Sequence, residues 1–255
     1  MKLCIIIPAY NEEKRIDHAI DAYHLFFNSR SRVGDLSAML LVVMNGCTDN
    51  TQQVVASMMN EDRPNVRAIS IPQAGKGLAI KAGFEWALAH DYDLIGFVDA
   101  DLSTSPQYFY DLVQTIELAE ATEVIDGAIA SRYMPDSIVV PERPWIKRLG
   151  SLLIYEPLVF LLFGMSYYDL QCGAKLFTRA VIKKVCPELT VAQWAFDVEL
   201  LYLCKLHQFT VVEIPTIWRD KAGSKLSIMN GGLRMLSTLI KLRIAYSRFA
   251  WLLNK

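Results

Sequence analysis

An α/β fold with a mostly parallel central sheet is the architecture this sequence predicts, and three observations carry that prediction. Short apolar runs alternate with segments of helical length and pattern through the first half of the chain. Helix-start signals follow the ends of those runs. The fourth run, Leu94 to Val98, stops abruptly in two carboxylates, Asp99 and Asp101, with Ala100 between them. Strands alternating with helices of this length build βαβ units.

The elements follow in order. Strands are expected at Leu3 to Ile7, Ala38 to Met44, Val66 to Ile71, Asp93 to Val98 and Val124 to Ala130. Between them, Glu12 to Asn28, Asp49 to Asn60, Gly77 to His90 and Pro106 to Ala119 suit helices. Asn11 can cap the first helix, with Glu12 and Glu13 in its opening turn; Ser105 can cap the fourth, with Pro106 at its first position. The 255 residues suit one large α/β domain, or one domain plus a small appendage.

Composition narrows the function classes. With 26 Lys+Arg against 27 Asp+Glu, wholesale nucleic-acid binding is disfavoured. Five scattered cysteines, without a C-x-x-C, indicate neither a disulfide framework nor a zinc site and fit a reducing compartment. The chain opens directly on a strand pattern rather than a charged-then-apolar leader.

The second half changes character. Pro141 to Pro144 breaks the pattern, and Arg143, Lys147 and Arg148 precede an apolar stretch from Leu149 to Phe163. That stretch is too short and interrupted to span a bilayer and suits either a buried helical hairpin or an interfacial segment. From Leu233 to Lys255 there are five basic residues (Arg234, Lys241, Arg243, Arg248, Lys255) and no acids, with apolar residues at helical spacing. A basic amphipathic helix over 229–255 has the profile of a membrane-surface anchor; a terminal helix packed on the domain is the alternative. The pair of segments favours association with a membrane surface.

Two acids at the carboxyl end of a buried strand call for a cationic partner, because ligands of open α/β sheets sit there and unpaired buried charge is costly. Mg²⁺ or Mn²⁺ held in this way also contacts substrate phosphates. Turns and helix caps account for many short D-x-D matches.

Four signatures line up along the chain: Ile7-Pro8-Ala9-Tyr10-Asn11-Glu12-Glu13, Asn45-Gly46-Cys47-Thr48-Asp49, Gly75-Lys76-Gly77 and Asp99-Ala100-Asp101. This ordered set resembles family 2 glycosyltransferases of the GT-A fold. Asp169 to Arg179, with its Gln171-Cys172-Gly173 run, then Trp194 to Leu200 and Gly223 to Leu226, resemble the dolichyl-phosphate β-glucosyltransferases within it. The likeness covers the chain to about residue 228 and implies a GT-A domain over 1–228, including 143–163, followed by the C-terminal helix.

The resemblance implies roles residue by residue. Pro8, Ala9 and Tyr10 would wrap the nucleoside, with Ala100 also on the donor side. Glu12 would accept a ribose hydroxyl, or serve only as a first-turn acid. Asn45 stands where the family commonly carries Asp near the base; its amide can both accept and donate. Asp49 either contacts the base or caps the next helix. Lys76 would face phosphate in a turn at a helix N-terminus, a setting that an ordinary surface turn also provides. Asp99 and Asp101 would hold Mg²⁺ or Mn²⁺, with Ser103 as a further candidate ligand. Arg132, Arg219, Ser224 and Lys225 would bind acceptor or donor phosphate, with Lys221 competing for the place of Arg219. Asp101, Asp197 and Arg132 are the candidates for the chemistry. Trp194 either stacks on a ligand or fills the core.

The implied reaction is inverting transfer of glucose from UDP-glucose, a nucleotide-sugar donor, to a polyprenyl (dolichyl-type) phosphate by a peripheral enzyme on the cytosolic membrane face. GDP-mannose, another UDP-sugar, or a protein or glycan acceptor would preserve the mechanism. A catalytically degenerate donor-binding or scaffold protein is the reading from another class. A sugar-nucleotide pyrophosphorylase is excluded, because Pro8 to Asn11 lacks a glycine-rich loop.

Overall fold

A computed structural model describes residues 1–31, 36–119, 124–141, 155–193, 195–219 and 228–247, with backbone alone for 228–235. Its elements are β1 (Lys2–Ala9), α1 (Ile16–Ser31), β2 (Ser37–Asn45), α2 (Thr51–Met58), β3 (Val66–Ile71), α3 (Lys76–Leu88), β4 (Leu94–Val98), α4 (Pro106–Ala119) and β5 (Gly127–Ser131). There follow β6 (Ile138–Val140), α5 (Glu156–Phe163), β7 (Ala174–Thr178), α6 (Arg179–Val185), α7 (Phe196–Leu206), β8 (Val211–Pro215), β9 (Ile217–Arg219) and α8 (Ile228–Ala245).

Seven strands form one sheet in the order β3-β2-β1-β4-β7-β5-β8. All neighbours pair in parallel except β7, which runs antiparallel to β4 and β5. The mostly parallel α/β fold expected from the alternating pattern is therefore the fold observed. β6 and β9 make a separate parallel pair.

Strand alternation divides the core into two layers, because successive side chains point to opposite faces. Cys4, Ile6, Leu41, Val43, Ile95 and Phe97 join α3, α6, α7 and α8 on one face. Leu3, Ile5, Ile7, Leu40, Val42 and Met44 meet α1, α2 and α4 on the other. Burying both faces explains why β1 and β4 read as continuous apolar runs. Each fully buried large aliphatic side chain contributes about 1.5–3 kcal/mol.

The first helix starts later than expected. Asn11 adopts the left-handed region (φ 54°), and its Oδ1 accepts the Thr48 N–H at 2.8 Å instead of capping a helix. Glu12 and Glu13 belong to the loop before α1, so neither is a first-turn acid. The reason is tertiary: Glu12 N–H donates to Thr51 Oγ1 at 2.8 Å, Glu13 N–H to Asp49 Oδ2 at 3.3 Å, and Asn50 N–H to Glu13 Oε2 at 2.9 Å. The loops after β1 and β2 thus interlock. By contrast, Pro106 does open α4, as its fixed φ allows.

Of the Leu149 to Phe163 stretch, the described part is the single short helix α5; the basic cluster of Arg143, Lys147 and Arg148 lies outside the described residues. α5 buries Val159 and Phe163 and exposes Phe160 and Leu161. α8 buries Leu239 and Leu242 against the same core, while Leu236 and Ile240 face outward. Among the described residues, no helix is long and apolar enough to cross a membrane.

Candidate active site

β1, β2 and β4 end together. Register pairs Ala9 with Met44 and Ile6 with Phe97, so Pro8 to Tyr10, Asn45 and Asp99 leave the sheet at one edge. Tyr10 is exposed there and Ala9 is buried. Asn45, expected at the nucleobase, is only 2 % exposed. Its Nδ2 donates to the Ala9 carbonyl at 2.9 Å, and its Oδ1 accepts the Gly75 N–H at 2.9 Å. It therefore braces the first loop against the start of α3. Glu12 pairs its carboxylate with the Arg15 guanidinium. Asp49 accepts the Thr51 N–H at 3.0 Å and the Thr51 hydroxyl at 2.6 Å, the capping alternative for that residue.

The acid loop after β4 is held from three sides. Leu102 sits in the left-handed region at φ 59°, an uncommon place for a side chain of its size. Asp101 Oδ1 accepts the Ser103 N–H at 2.9 Å, and the buried Tyr23 hydroxyl donates to the Thr104 carbonyl at 3.0 Å. Ser103 is itself buried, and its carbonyl accepts the Arg219 N–H at 2.9 Å. A bridge between Thr104 and Trp218 completes the dock. Arg219, exposed at the end of β9, thus stands beside the acid loop although it lies 118 positions after Asp101 in the chain.

Asp99 meets a cation on one oxygen and a glycine beside the other. Lys76 Nζ lies 2.8 Å from its Oδ1. The other oxygen rests against Gly173, where a Cβ would overlap it, and the Asp99 N–H donates to the Gly173 carbonyl at 3.1 Å. Burial pushes the Asp99 carboxyl up, but the charge and hydrogen bond of Lys76, with the charges of Lys175 and Arg132, together bring the acid below its usual range. For Lys76, burial opposes the charge, and Asp99 with Asp197 raises its pKa despite that. Asp197 opens α7 with 2 % exposure; its Oδ1 meets the fully buried Lys175 ammonium at 2.6 Å, and its Oδ2 lies 4.0 Å from Lys76. Lys175 also donates to the Cys172 carbonyl at 2.6 Å. Burial pushes the Cys172 thiol up to about 12, which removes it as a nucleophile.

Gly75-Lys76-Gly77 is a packed turn. Gly77 N–H donates to the Ala192 carbonyl at 2.9 Å, and a Cβ on Gly75 would stand 2.7 Å from that same oxygen. The 190–193 segment is fastened in turn by Glu199, a fully buried acid. Its carboxylate accepts Thr190 N–H at 3.0 Å, Val191 N–H at 2.7 Å and the Tyr246 hydroxyl at 3.1 Å. Asp197 and Glu199 therefore face different partners, as their i, i+2 spacing on a helix requires.

Arg132 follows β5 and is committed to Asp169. Its Nε reaches Asp169 Oδ2 at 2.6 Å, its Nη2 reaches Oδ1 at 2.8 Å, and its backbone N–H donates to Oδ2 at 3.0 Å. The guanidinium lies 5.0 Å from the Trp218 ring centroid. Burial raises the Asp169 pKa, and the Arg132 charge together with its side-chain and backbone hydrogen bonds brings it below the usual range. Ser224, Lys225, Lys221 and Trp194 lie outside the described residues.

Arg15, Gly173, Lys175 and Glu199 are members of this neighbourhood that the motifs alone did not assign. The Arg15 guanidinium is held charged by its bond to Glu12 and, more weakly, by the Asp101 and Asp99 carboxylates. A basic residue one helical turn past the first loop was the available signal.

Among the described residues, no group of three or more His, Cys, Asp or Glu side chains is arranged to hold a metal ion. The pair Asp99 and Asp101 still fits Mg²⁺ or Mn²⁺, which use one or two carboxylates and complete their shell with substrate phosphate and water. Two open cavities of about 540 and 490 Å³ flank Met165 to Tyr167, away from these acids. We place the chemistry at the acid loop, because the charged groups converge there.

A mostly parallel sheet whose carboxyl edge carries two acids and a lysine is the arrangement of a GT-A glycosyltransferase fold. The glycosyl transferase family 2 model matches residues 4–186, and the chain belongs to that family and is a glycosyltransferase. It is 30 % identical over 255 residues to a protein named dolichyl-phosphate beta-glucosyltransferase from Dictyostelium discoideum, covering 98 % of this chain and 76 % of that one. The Saccharomyces cerevisiae protein of the same name is 32 % identical, over 96 % of this chain and 75 % of its own. Among solved structures, glucosyl-3-phosphoglycerate synthase from Mycobacterium tuberculosis, in complex with Mn²⁺, UDP and product, superposes with a TM-score of 0.66 at 18 % identity, over 96 % of this chain and 79 % of that one.

Proposed function

We propose that this chain transfers glucose from UDP-glucose, with inversion, to a polyprenyl phosphate of the dolichyl type at the cytosolic face of a membrane. The observation that carries this reading is the near-full-length similarity to proteins named dolichyl-phosphate beta-glucosyltransferase.

Pro8, Ala9 and Tyr10 line the nucleoside, on a loop that Asn45 holds in place. Asp99 and Asp101, with Ser103 beside them, hold Mg²⁺ or Mn²⁺, which supplies neutralisation of the charge that builds on the departing diphosphate. Lys76 and Arg219 add cationic partners for phosphate oxygens, joined by Ser224 and Lys225. Asp197 presents its Oδ2 to the sugar side, because Lys175 occupies its Oδ1. A phosphate monoester has a second pKa of about 6, so the acceptor is largely ionised at neutral pH and attacks without a general base. One displacement at the anomeric carbon inverts it. Arg132 stands with Asp169 behind the acceptor position.

Residues 1–228 form the catalytic unit and 229–255 the membrane-facing C-terminal segment, of which the described helix ends at Ala245. Phe160 and Leu161 on α5, with Leu236 and Ile240 on α8, expose apolar surface on two helices that pack together. Lys241 and Arg243 add positive charge for anionic lipid.

The test is transfer of radiolabel from UDP-glucose, and in parallel from GDP-mannose, into extractable polyprenyl phosphate with Mg²⁺ or Mn²⁺ present. Metal-dependent label from UDP-glucose is the expected result. Label from GDP-mannose alone overturns the donor, and hydrolysis without lipid labelling overturns the acceptor.

A further inference from the structure

The cation nearest the metal-ready acids is one the chain supplies itself. Lys76 Nζ lies 2.8 Å from Asp99 Oδ1, at the place a divalent ion would claim, and the side chain of Lys76 is 14 % exposed. The second Asp99 oxygen lies where a Cβ on residue 173 would stand, so the glycine leaves room for the carboxylate. A metal that binds Asp99 through Oδ1 must displace the ammonium. The backbone beneath it has no room to follow, because Gly75 and Gly77 are pressed against the 191–192 carbonyls. Movement falls to the lysine side chain alone.

Charge decides when that movement is favourable. Lys76 and Lys175 balance Asp99 and Asp197 within one half-enclosed cluster. A divalent ion arriving alone would drive an ammonium off its carboxylate and leave two cations crowded in a poorly solvated space. A nucleoside diphosphate arriving with the ion brings matching negative charge and offers the ammonium new oxygen partners at the α3 N-terminus, which itself favours anions.

We propose that Lys76 is the resident counter-ion of the acid site, exchanged for the divalent metal only as a nucleoside diphosphate enters. Metal and donor then bind as a coupled pair rather than independently. The inference rests on the metal role given to Asp99 and Asp101 above and adds to it a residue that sets the order of assembly.

The experiment measures Mn²⁺ binding by the electron paramagnetic resonance signal of free Mn²⁺, with and without UDP. The proteins are the full chain, Lys76→Met, Lys76→Gln and Asp101→Asn, each checked for folding by circular dichroism and thermal melting. In the unaltered protein, UDP should tighten Mn²⁺ on the order of tenfold or more. In Lys76→Met, Mn²⁺ without UDP should bind roughly tenfold tighter, and the gain from UDP should shrink. Lys76→Gln is neutral and retains a hydrogen-bond donor for Asp99, so it guards against a Met variant that fails to fold. Unchanged or weaker Mn²⁺ binding in a folded Lys76 variant, while Asp101→Asn still abolishes binding, overturns the exchange and leaves the metal role standing. No Mn²⁺ binding with UDP present, or none lost in Asp101→Asn, overturns the metal role and the exchange with it.

Discussion

Two ion pairs meet the carboxyl edge of the sheet, and they are built differently. Lys76 and Asp99 share one contact at 2.8 Å, with side chains 14 % and 29 % exposed. Arg132 and Asp169 are 8 % and 2 % exposed and joined by three hydrogen bonds, with an indole face over the guanidinium. Asp169 takes up further order from Glu213, which accepts its N–H at 2.8 Å. Exposure and multiplicity, not charge type, separate an exchangeable pair from an architectural one. A single-point contact near solvent can trade partners at little cost. A bidentate buried pair leaves an uncompensated charge if either member goes.

Substitutions can break this comparison. On the exchangeable side, Asp101→Asn should lower glycosyl transfer on the order of 100-fold or more with the fold intact, because it removes a ligand of the diphosphate cation; unaltered turnover in a lipid-transfer assay would falsify its metal role. On the architectural side, Arg132→Leu should cost about 3–5 kcal/mol in denaturant unfolding, since Asp169 would be buried without its partner. Loss of activity without loss of stability would instead make Arg132 a ligand group.

Gly173→Ala tests the seam between the two pairs. A Cβ there must push the Asp99 carboxylate aside, so Mn²⁺ binding in the presence of UDP should weaken about tenfold while stability falls by roughly 1–3 kcal/mol. Wild-type Mn²⁺ affinity in this variant would show that Asp99 can reorient freely.

Acid sharpens the contrast without mutation. Asp99 and Asp169 both lie below the usual 3.8 in the folded state, each because the charges and hydrogen bonds around it together outweigh burial. The unfolded chain therefore binds these protons more readily. Their stabilisation is present above pH 3.8 and is lost as pH falls through the lower folded values. Unfolding free energy measured against pH should fall below about 4, and Arg132→Leu should flatten that fall. The smallest effect expected is Tyr246→Phe, about 1 kcal/mol, from loss of the hydroxyl that the residue after α8 offers to Glu199 and the Glu188 carbonyl. Thermal melting measures it, and no change would show that this hydroxyl does not fasten the end of α8 to the 188–199 region.

Much of this was legible before the structure. Val66–Ile71 and Pro106–Ala119 coincide with their expected ranges, because alternation and a proline start are local signals. The start of α1 was not legible: Asn11 has the chemistry of a cap, and only the neighbouring loop at Thr48 diverts it. Asn45 likewise has the chemistry of a base reader, and its partners Ala9 and Gly75 lie 36 and 30 residues away. Lys175 and Glu199 had no assigned role, since nothing near them in sequence names their partners Asp197 and the 190–191 backbone.

The sequence by itself determined the α/β class, the first five strands along the chain and the acids at the end of β4, because period, turn chemistry and motif order are properties of adjacent residues; β6 to β9 were not among the strands it predicted. Only the tertiary structure decided which charges meet. It set Lys76 on Asp99, Lys175 on Asp197 and Arg132 on Asp169, and it laid Gly173 beneath a carboxylate. The physical reason is that an ion pair's strength depends on separation and burial in space, and strand order β1-β4-β7-β5 brings together segments that the chain keeps far apart.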